Sequence, residues 1–231
     1  MANVAIITAR GGSKRIPRKN IKEFLGKPII VYSIAAALES GIFDEVMVST
    51  DDEEIAEIAK CAGAKVPFMR SADAANDFAT TTDVICEVLN EYKEIGREFD
   101  CACCIYPTAP FVTAKCLKEA MSILLKQTAD SVVPVVRFGF PPQRSVIICE
   151  EKMKFKWPEH TFSRSQDLEP FYHDAGQFYC LNIKSFFEQK SLFMKNTFPY
   201  VRDEMEVQDI DTMEDWKMAE LKYRMLHVEN M

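Results

Sequence analysis

The chain is 231 residues long, 48% hydrophobic and 27% charged, with a net charge of −7. These values predict one globular main domain and exclude disordered, fibrous and membrane-embedded proteins. The acidic balance argues against binding to nucleic acid or an acidic membrane, and because no apolar run is long enough for a signal peptide or a membrane span, we expect a cytoplasmic protein.

Short apolar segments alternate with amphipathic segments through residues 1–137. Five nearly continuous apolar runs predict strands that are covered on both faces: Val4–Thr8, Val46–Thr50, Ala64–Phe68, Cys101–Tyr106 and Ser131–Val136. Apolar residues at helical spacing lie between them, as at Ile30, Ile34 and Leu38. This alternation predicts an α/β fold of successive βαβ units around a parallel sheet.

A strongly basic loop follows the first predicted strand. Residues 10–27 carry seven basic side chains and one acidic side chain, so this segment has a charge of +6 and the rest of the −7 chain has −13. Ligands of open α/β sheets bind beyond the carboxyl ends of strands. A phosphate cradle needs small residues, a hydroxyl and cations, which the loop supplies as Gly11, Gly12, Ser13, Arg10, Lys14 and Lys19. We therefore predict a triphosphate site, with a solvated basic turn as the alternative. The spacing matches neither GxGxxG nor a P-loop.

Polar residues also follow the second and third predicted strands. Asp51 or Asp52 can cap the next helix, and for Asp51 a cap is favoured over a ligand role. Arg70 follows the third strand, and the polar segment Asn76–Thr82 leads into another helix, where threonines are good N-caps. Taken alone, these residues carry little functional information.

The eight cysteines predict a reduced protein, because the chain is too large to need disulfide bonds. Cys101 and Cys104 form a CxxC sequence, but a strand over this segment would point them to opposite faces. We predict buried thiols here, with metal or redox chemistry as the alternative.

The pattern changes at Phe138. Pro141 and Pro142 interrupt it, and the segments Arg144–Cys149 and Met153–Trp157 predict a hairpin around residues 151–152. We interpret residues 138–170 as an inserted arm and substrate-loop region, and residues 1–137 with 171–231 as the nucleotide-binding α/β domain. An arm of this kind often pairs subunits, so we expect a homodimer.

A polar loop closes the inserted region. Its side chains Arg164, Gln166 and Asp167 could face a hydroxylated substrate or water. His173 stands beside the next predicted strand, Gly176–Ile183, and a lone histidine is usually a surface or satisfied core residue.

An acidic pair precedes the last predicted helix, which runs from Met213 to about Leu226. Asp209 and Asp211 are two residues apart, so an extended segment would place both carboxylates on one side and turn Ile210 inward. Paired oxygens of this kind suit Mg²⁺. Capping of the helix by Asp211 or Thr212, with Asp215 in the first turn, is an equal alternative.

The segment Ala9–Asn20 resembles the ARxxSKxxPxKN signature of the CMP-sialic acid synthetases, also called acylneuraminate cytidylyltransferases. The resemblance continues through residues 26–70, the PTAP sequence at Pro107–Pro110, Gly176 and the closing DIDT sequence. It implies a Rossmann-like, mostly parallel sheet of the nucleotide-diphospho-sugar transferase type, with a dimerisation arm. It further implies that CTP phosphates and sugar contact Arg10, Ser13, Lys19 and Asn20, that cytosine lies near Arg70 and Thr81, and that Asp209 and Asp211 hold Mg²⁺ or Mn²⁺.

The departures from that family fall where its sugar would bind. Sialic acid enzymes usually have QPTSPLR where this chain has Tyr106–Val112, and RPNG where it has His173–Gly176. The stretch Arg164–Tyr179 instead resembles the pseudaminic acid cytidylyltransferases. The resemblance thus implies a nine-carbon acidic sugar bound by four residues: Tyr106, Arg164, Gln166 and His173.

These resemblances imply a reaction in which the anomeric hydroxyl of the sugar attacks the α-phosphate of CTP and releases pyrophosphate. Arg10, Lys19 and Asp211 are the predicted catalytic residues. The alternatives are an enzyme for sialic, legionaminic or Kdo sugars and a non-catalytic nucleotide-binding regulatory protein. Kdo enzymes tend to have QGDEP where this chain has YPTAP, so that an expected metal-binding aspartate is Thr108.

Overall fold

The computed structural model describes residues 1–227. In chain order, the strands and helices are β1 (Asn3–Thr8), β2 (Glu23–Phe24), β3 (Lys27–Pro28), α1 (Ile30–Ser40), β4 (Glu45–Ser49), α2 (Glu53–Cys61), α3 (Ala72–Ala75), α4 (Thr81–Glu94), β5 (Cys101–Ile105), α5 (Ala114–Lys126), β6 (Ser131–Arg137), β7 (Val146–Cys149), β8 (Lys152–Phe155), β9 (Tyr172–Asp174), β10 (Phe178–Asn182), α6 (Ile183–Gln189), β11 (Thr197–Arg202) and α7 (Met213–Leu226).

The main sheet of the described chain has seven strands in the order β11-β6-β10-β5-β1-β4, with β9 paired to β6. β1 is parallel to β4 and β5, and β11 is parallel to β6. β10 is antiparallel to its neighbours β5 and β6, as β9 is to β6. Five strands therefore share one direction and two oppose it. The predicted α/β fold is confirmed, and the sheet is mixed.

The predicted strand at Ala64–Phe68 is wrong. Only Lys65 pairs with the sheet edge, as an isolated parallel bridge to Met47. Its N–H donates to the Val46 carbonyl at 2.8 Å, and its carbonyl accepts from the Val48 N–H at 2.9 Å. Pro67 follows two residues later and has no N–H to donate, so the ladder cannot continue past this point.

Helices cover both faces of the sheet and create two apolar layers. Ile34 of α1 and Leu117 of α5 pack with Cys101 and Cys103 on one face, whereas α4 and α6 pack with Cys104 on the other. Cys101 and Cys104 therefore point away from each other, as a strand requires, and cannot chelate one ion. Burial raises the pKa of the Cys101 thiol to about 11, which keeps it protonated and unreactive.

The predicted hairpin is present as β7 and β8, paired antiparallel from Val146 opposite Phe155 to Cys149 opposite Lys152. Its turn falls at Glu150 and Glu151, both at positive φ, one residue earlier than predicted. The side chains of Ile148 and Met153 face solvent on the paired strands, at 78% and 69% exposure. The assignment of residues 138–170 to a separate arm stays a prediction.

Within residues 1–227, none of the helices is long and apolar enough to cross a membrane.

Candidate functional site

Two adjoining clefts open beyond the carboxyl ends of β1, β4 and β5. The first has a volume of about 550 Å³ and is lined by the basic loop, Arg70, the start of α4 and the segment after β5. The second, of about 690 Å³, lies between β9, the end of β6 and the segment that precedes α7. Tyr106 and Asp211 line both clefts and so mark their shared border.

The structure brings most of the predicted nucleotide residues together on the first cleft. Its lining includes seven of the nine: Arg10, Ser13, Lys14, Lys19, Asn20, Arg70 and Thr81. Gly11 and Gly12 are outside that lining. Thr81 is placed by the N-terminus of α4, where Thr80 is the N-cap and its hydroxyl accepts from the Asp83 N–H at 3.2 Å.

Gly11 and Asn20 set the shape of the basic loop. The Gly11 N–H donates to Asp51 Oδ1 at 2.9 Å. A Cβ at Gly11 would lie 2.8 Å from Asp52 Oδ2, so a larger residue there would have to displace that carboxylate. Asn20 is buried and its Nδ2 donates to the Arg10 carbonyl at 2.8 Å. These contacts shape the loop that carries the cationic side chains, and the Gly11 N–H is used by Asp51.

The N-cap of α2 is Asp52. The sequence offered Asp51 or Asp52 and favoured a capping role for Asp51, and that role for Asp51 is wrong. Asp52 Oδ1 accepts from the Ile55 N–H at 3.0 Å, and the carboxylate also pairs with the Arg18 guanidinium. The hydrogen bond from Arg18 is the main reason that the pKa of Asp52 is lowered. Asp51 instead holds the Gly11 backbone, because the chain after β1 returns over the end of β4.

Carboxylates of the chain compensate part of the loop charge. Arg10 Nη1 lies 3.1 Å from Asp77 Oδ1, and Lys14 pairs with the other oxygen of the same carboxylate. Arg15 Nη1 lies 2.9 Å and Lys19 Nζ 3.7 Å from Asp211. The +6 charge therefore does not by itself require an external anion. Sequence reasoning missed Asp77, which is 67 residues from Arg10 and has no local signal.

Arg70 is the buried cation of the first cleft, at 7% exposure. Its Nε donates to Ser49 Oγ at 2.9 Å and its Nη2 to the Ser49 carbonyl at 2.6 Å, so its partners are neutral oxygens rather than a carboxylate. Burial lowers its pKa from the ordinary arginine value. A buried guanidinium held by neutral groups at a cleft wall gains from an anionic or carbonyl ligand.

The predicted sugar residues are distributed over more than one surface. Tyr106 and His173 line the second cleft, whereas Gln166 lines a neighbouring pocket beside Phe171. Arg164 Nε donates to Asp167 Oδ2 at 2.7 Å on the exposed surface, away from both clefts. The structure thus brings two of the four residues to one wall.

A series of contacting side chains crosses the border between the clefts. The Tyr106 hydroxyl lies 3.2 Å from Thr81 Oγ1, and the rings of Tyr106 and Tyr179 meet edge to face at 5.6 Å. The Tyr179 hydroxyl donates to Asp174 Oδ2 at 2.5 Å. Burial is the main cause that raises the pKa of both phenols, so each stays a protonated donor. Asp174 and Tyr179 were not identified from the sequence.

Neither carboxylate of the acidic pair, Asp209 and Asp211, caps helix α7. The N-cap of α7 is Thr212, which forms a capping box with Asp215, and Ile210 is buried between the two predicted metal ligands. The pKa of Asp209 is raised, first by partial burial and then by the neighbouring Asp211 carboxylate. Hard carboxylate oxygens at the edge of a phosphate-sized cleft fit Mg²⁺, which needs only one or two of them. Within residues 1–227 no group of three or more His, Cys, Asp or Glu side chains could hold a metal.

Comparison with known proteins identifies the family. Residues 4–212 match the cytidylyltransferase family. The chain is 42% identical over 228 residues to a pseudaminic acid cytidylyltransferase of Campylobacter jejuni, covering 98% of both chains. It is 35% identical over 227 residues, 95% of both chains, to a CMP-N,N'-diacetyllegionaminic acid synthase of Legionella pneumophila. A solved structure of CMP:2-keto-3-deoxy-manno-octonic acid synthetase complexed with CTP shares the fold, with a TM-score of 0.71 and 18% identity over the whole of both chains. The chain therefore belongs to the cytidylyltransferase family of enzymes.

Proposed function

We propose that this protein transfers CMP from CTP to a nonulosonic acid, and that the sugar is pseudaminic acid. The observation that carries the proposal is the pair of adjoining clefts that meet at Tyr106 and Asp211, one lined by cations and the other by carboxylates and hydroxyls. The relatives named for pseudaminic and legionaminic acids support a nine-carbon acidic sugar as the acceptor.

The first cleft suits the nucleotide. Its cations, Arg10, Lys14 and Lys19 on the loop and Arg70 on the wall, match the charge of a triphosphate. Arg10 and Lys14 now contact Asp77, so triphosphate binding would exchange one carboxylate for several phosphate oxygens. Cytosine would contact polar groups of the same cleft, the hydroxyl of Thr81 and the guanidinium of Arg70, which Ser49 holds in place.

The second cleft suits the sugar, whose anomeric oxygen would approach the α-phosphorus at the shared border. A new bond forms between that oxygen and phosphorus, and the bond from the α-phosphorus to the bridging oxygen breaks. Pyrophosphate leaves with the electron pair, and the hydroxyl proton passes to solvent. Arg10 and Lys19 would neutralise charge that builds up on the leaving group, which is electrostatic catalysis by positioned cations.

Asp209 and Asp211 would hold the divalent metal, Mg²⁺ or Mn²⁺. A metal bound there would offset phosphate charge and orient the phosphate oxygens. Two contacts hold the segment that carries Asp211: the Ile210 side chain is buried, and the Lys19 Nζ donates to the Ile210 carbonyl at 2.6 Å. These contacts would orient the Asp211 carboxylate toward the metal.

Release of pyrophosphate from CTP tests this function, with pseudaminic, legionaminic, sialic and Kdo acids offered separately. We expect turnover to be fastest with pseudaminic acid and to require a divalent metal. Faster turnover with another acid would reassign the acceptor. Tight CTP binding without turnover on any of the four acids would overturn the proposal in favour of a nucleotide-binding regulatory protein.

We further propose a cytoplasmic homodimer. The apolar side chains that β7 and β8 expose, Ile148 opposite Met153, would be covered by a second copy. All eight cysteines are unpaired thiols, which agrees with a reducing compartment. Sedimentation of the wild type and of Ile148→Glu tests the dimer, and a monomeric wild type would overturn it.

A further inference from the structure

We propose that Asp174 is a specificity-determining residue that accepts a hydrogen bond from a donor group of the acceptor sugar, an acylamino N–H or a hydroxyl. This inference rests on the proposed function and assigns a role to a residue that neither the sequence signature nor the metal site explains. Asp174 ends β9, is half-buried and lines the second cleft.

The wall of the second cleft favours ligands that donate hydrogen bonds. Its acidic side chains are Asp174, Glu204, Asp209, Asp211 and Asp215. Two basic side chains, Arg137 and Lys222, line the same cleft. The Lys222 Nζ donates to the carbonyls of Glu204 at 3.1 Å and Val207 at 2.8 Å, so part of its capacity is used by the backbone. An acidic sugar would therefore direct its N–H and O–H groups toward the carboxylates of this wall and its own carboxylate toward Arg137.

Asp174 is the carboxylate of this wall that is already oriented and still able to accept. Asp209 and Asp211 are assigned to the metal, Asp215 closes the capping box of α7, and Glu204 is an exposed residue. The Oδ1 atom of Asp174 accepts from the Gly176 N–H at 2.8 Å, and Oδ2 accepts from the Tyr179 hydroxyl at 2.5 Å. Both donors are neutral groups rather than cations, and each carboxylate oxygen has a second lone pair for another donor.

Asp174 lies near the proposed metal ligands and near the border between the two clefts. Gly176, two residues on, adopts φ +61°, and a Cβ there would lie 3.9 Å from Asp209 Cγ. A sugar held by Asp174 is therefore beside the proposed metal ligands. Through Tyr179 and Tyr106, the same carboxylate is linked to Thr81 in the first cleft.

Asp174→Asn separates this role from a purely structural one. The turn to Gly176 needs a single side-chain oxygen, which asparagine provides, and the asparagine Nδ2 can donate to the Tyr179 oxygen in place of the present bond. A structural role therefore predicts little change. A substrate role predicts that the KM for pseudaminic acid rises about 10- to 100-fold, the range for a lost hydrogen bond to a charged group. The KM for CTP should change less than about twofold, because Asp174 does not line the first cleft.

A second phenol–carboxylate pair supplies matched controls. The Tyr200 hydroxyl donates to Glu119 Oε2 at 2.6 Å on a surface away from both clefts. Glu119→Gln and Tyr200→Phe should therefore leave both KM values unchanged. If Asp174→Asn does not fold, Tyr179→Phe decides, because it removes the group that orients Asp174 and should raise the sugar KM by about 3- to 10-fold.

An analogue with O-acyl groups in place of the acylamino groups identifies the donor, because an ester oxygen carries no hydrogen to donate. If the donor is an N–H, the wild type and Asp174→Asn should bind the analogue equally in competition with pseudaminic acid. If it is a hydroxyl, the defect of the variant should persist. An active wild type whose sugar KM is unchanged in a folded Asp174→Asn overturns this inference alone, whereas a wild type without CTP-dependent turnover overturns the proposed function.

Discussion

Replacing Asp211 by asparagine should abolish most turnover and leave the fold nearly unchanged. Asp211 contacts Arg15 at 2.9 Å and Lys19 at 3.7 Å, and its side chain is 40% exposed. Partly exposed ion pairs contribute at most about 1 kcal/mol, so the melting temperature should fall by no more than about 2–4 °C. Asp211 is proposed as one of two carboxylate ligands to a metal that would offset several kcal/mol of phosphate charge, so its loss should lower kcat about 100- to 1000-fold.

The same structure predicts an opposite effect on metal-free nucleotide binding. Without the Asp211 carboxylate, Arg15 and Lys19 lose a competing partner, so CTP measured calorimetrically in a chelator should bind up to about fivefold more tightly. Steady-state pyrophosphate release, with metal titrated, gives kcat. Asp100→Asn, at 57% exposure and paired with the N-terminus, is the matched charge control. Retention of more than about half of kcat by Asp211→Asn would refute the metal-ligand role.

Three further changes test the wall of the first cleft and the basic loop beside it. Arg70→Met should raise the CTP KM about 10- to 100-fold, because the buried guanidinium would no longer meet an anionic ligand, and an unchanged KM would remove Arg70 from the nucleotide site. Gly11→Ala should destabilise the fold by about 1–3 kcal/mol in chemical denaturation, since its Cβ would clash with Asp52 Oδ2 at 2.8 Å; a neutral result would mean that the loop can shift. Arg18→Met should weaken the dependence of the free energy of unfolding on pH in acid. The pKa of Asp52 is lowered below 3.8 in the folded protein, so the wild type has the stabilisation from ionised Asp52 above this pH and loses it as the pH falls further. Equal slopes for the two proteins, in denaturation at several acid pH values, would contradict this prediction.

Much of the fold was predictable because the central strands are buried on both faces. The run Cys101–Tyr106 was predicted as a strand, and β5 occupies Cys101–Ile105. Strand direction was not predictable, since β10 reverses against β5 and β6 through pairings with residues far away in the chain. The segment Ala64–Phe68 has strand-like residues, but whether an edge segment pairs depends on its partner and on the position of Pro67.

The site was predictable where its residues are contiguous. The loop Arg10–Asn20 carries phosphate-binding residue types in one run, and its cationic side chains line one cleft. The contact of Asp77 with Arg10 spans 67 residues and left no such signal. The hydrogen bond from Tyr179 to Asp174 spans only five residues, but it depends on the turn between β9 and β10. For Gly11, the sequence indicated the need for a small residue, but the close neighbour is the Asp52 carboxylate.

The contacts of Asp211 suggest why neither the basic loop nor the acidic pair could be assigned from its own segment. The carboxylate that would hold a metal also contacts Arg15 and Lys19 of the loop. A cation that binds Asp211 must displace these side chains, which then become available to phosphate. A triphosphate that attracts the side chains in turn leaves Asp211 to the metal. Each ligand should therefore increase the affinity for the other by the same factor, because such coupling is reciprocal.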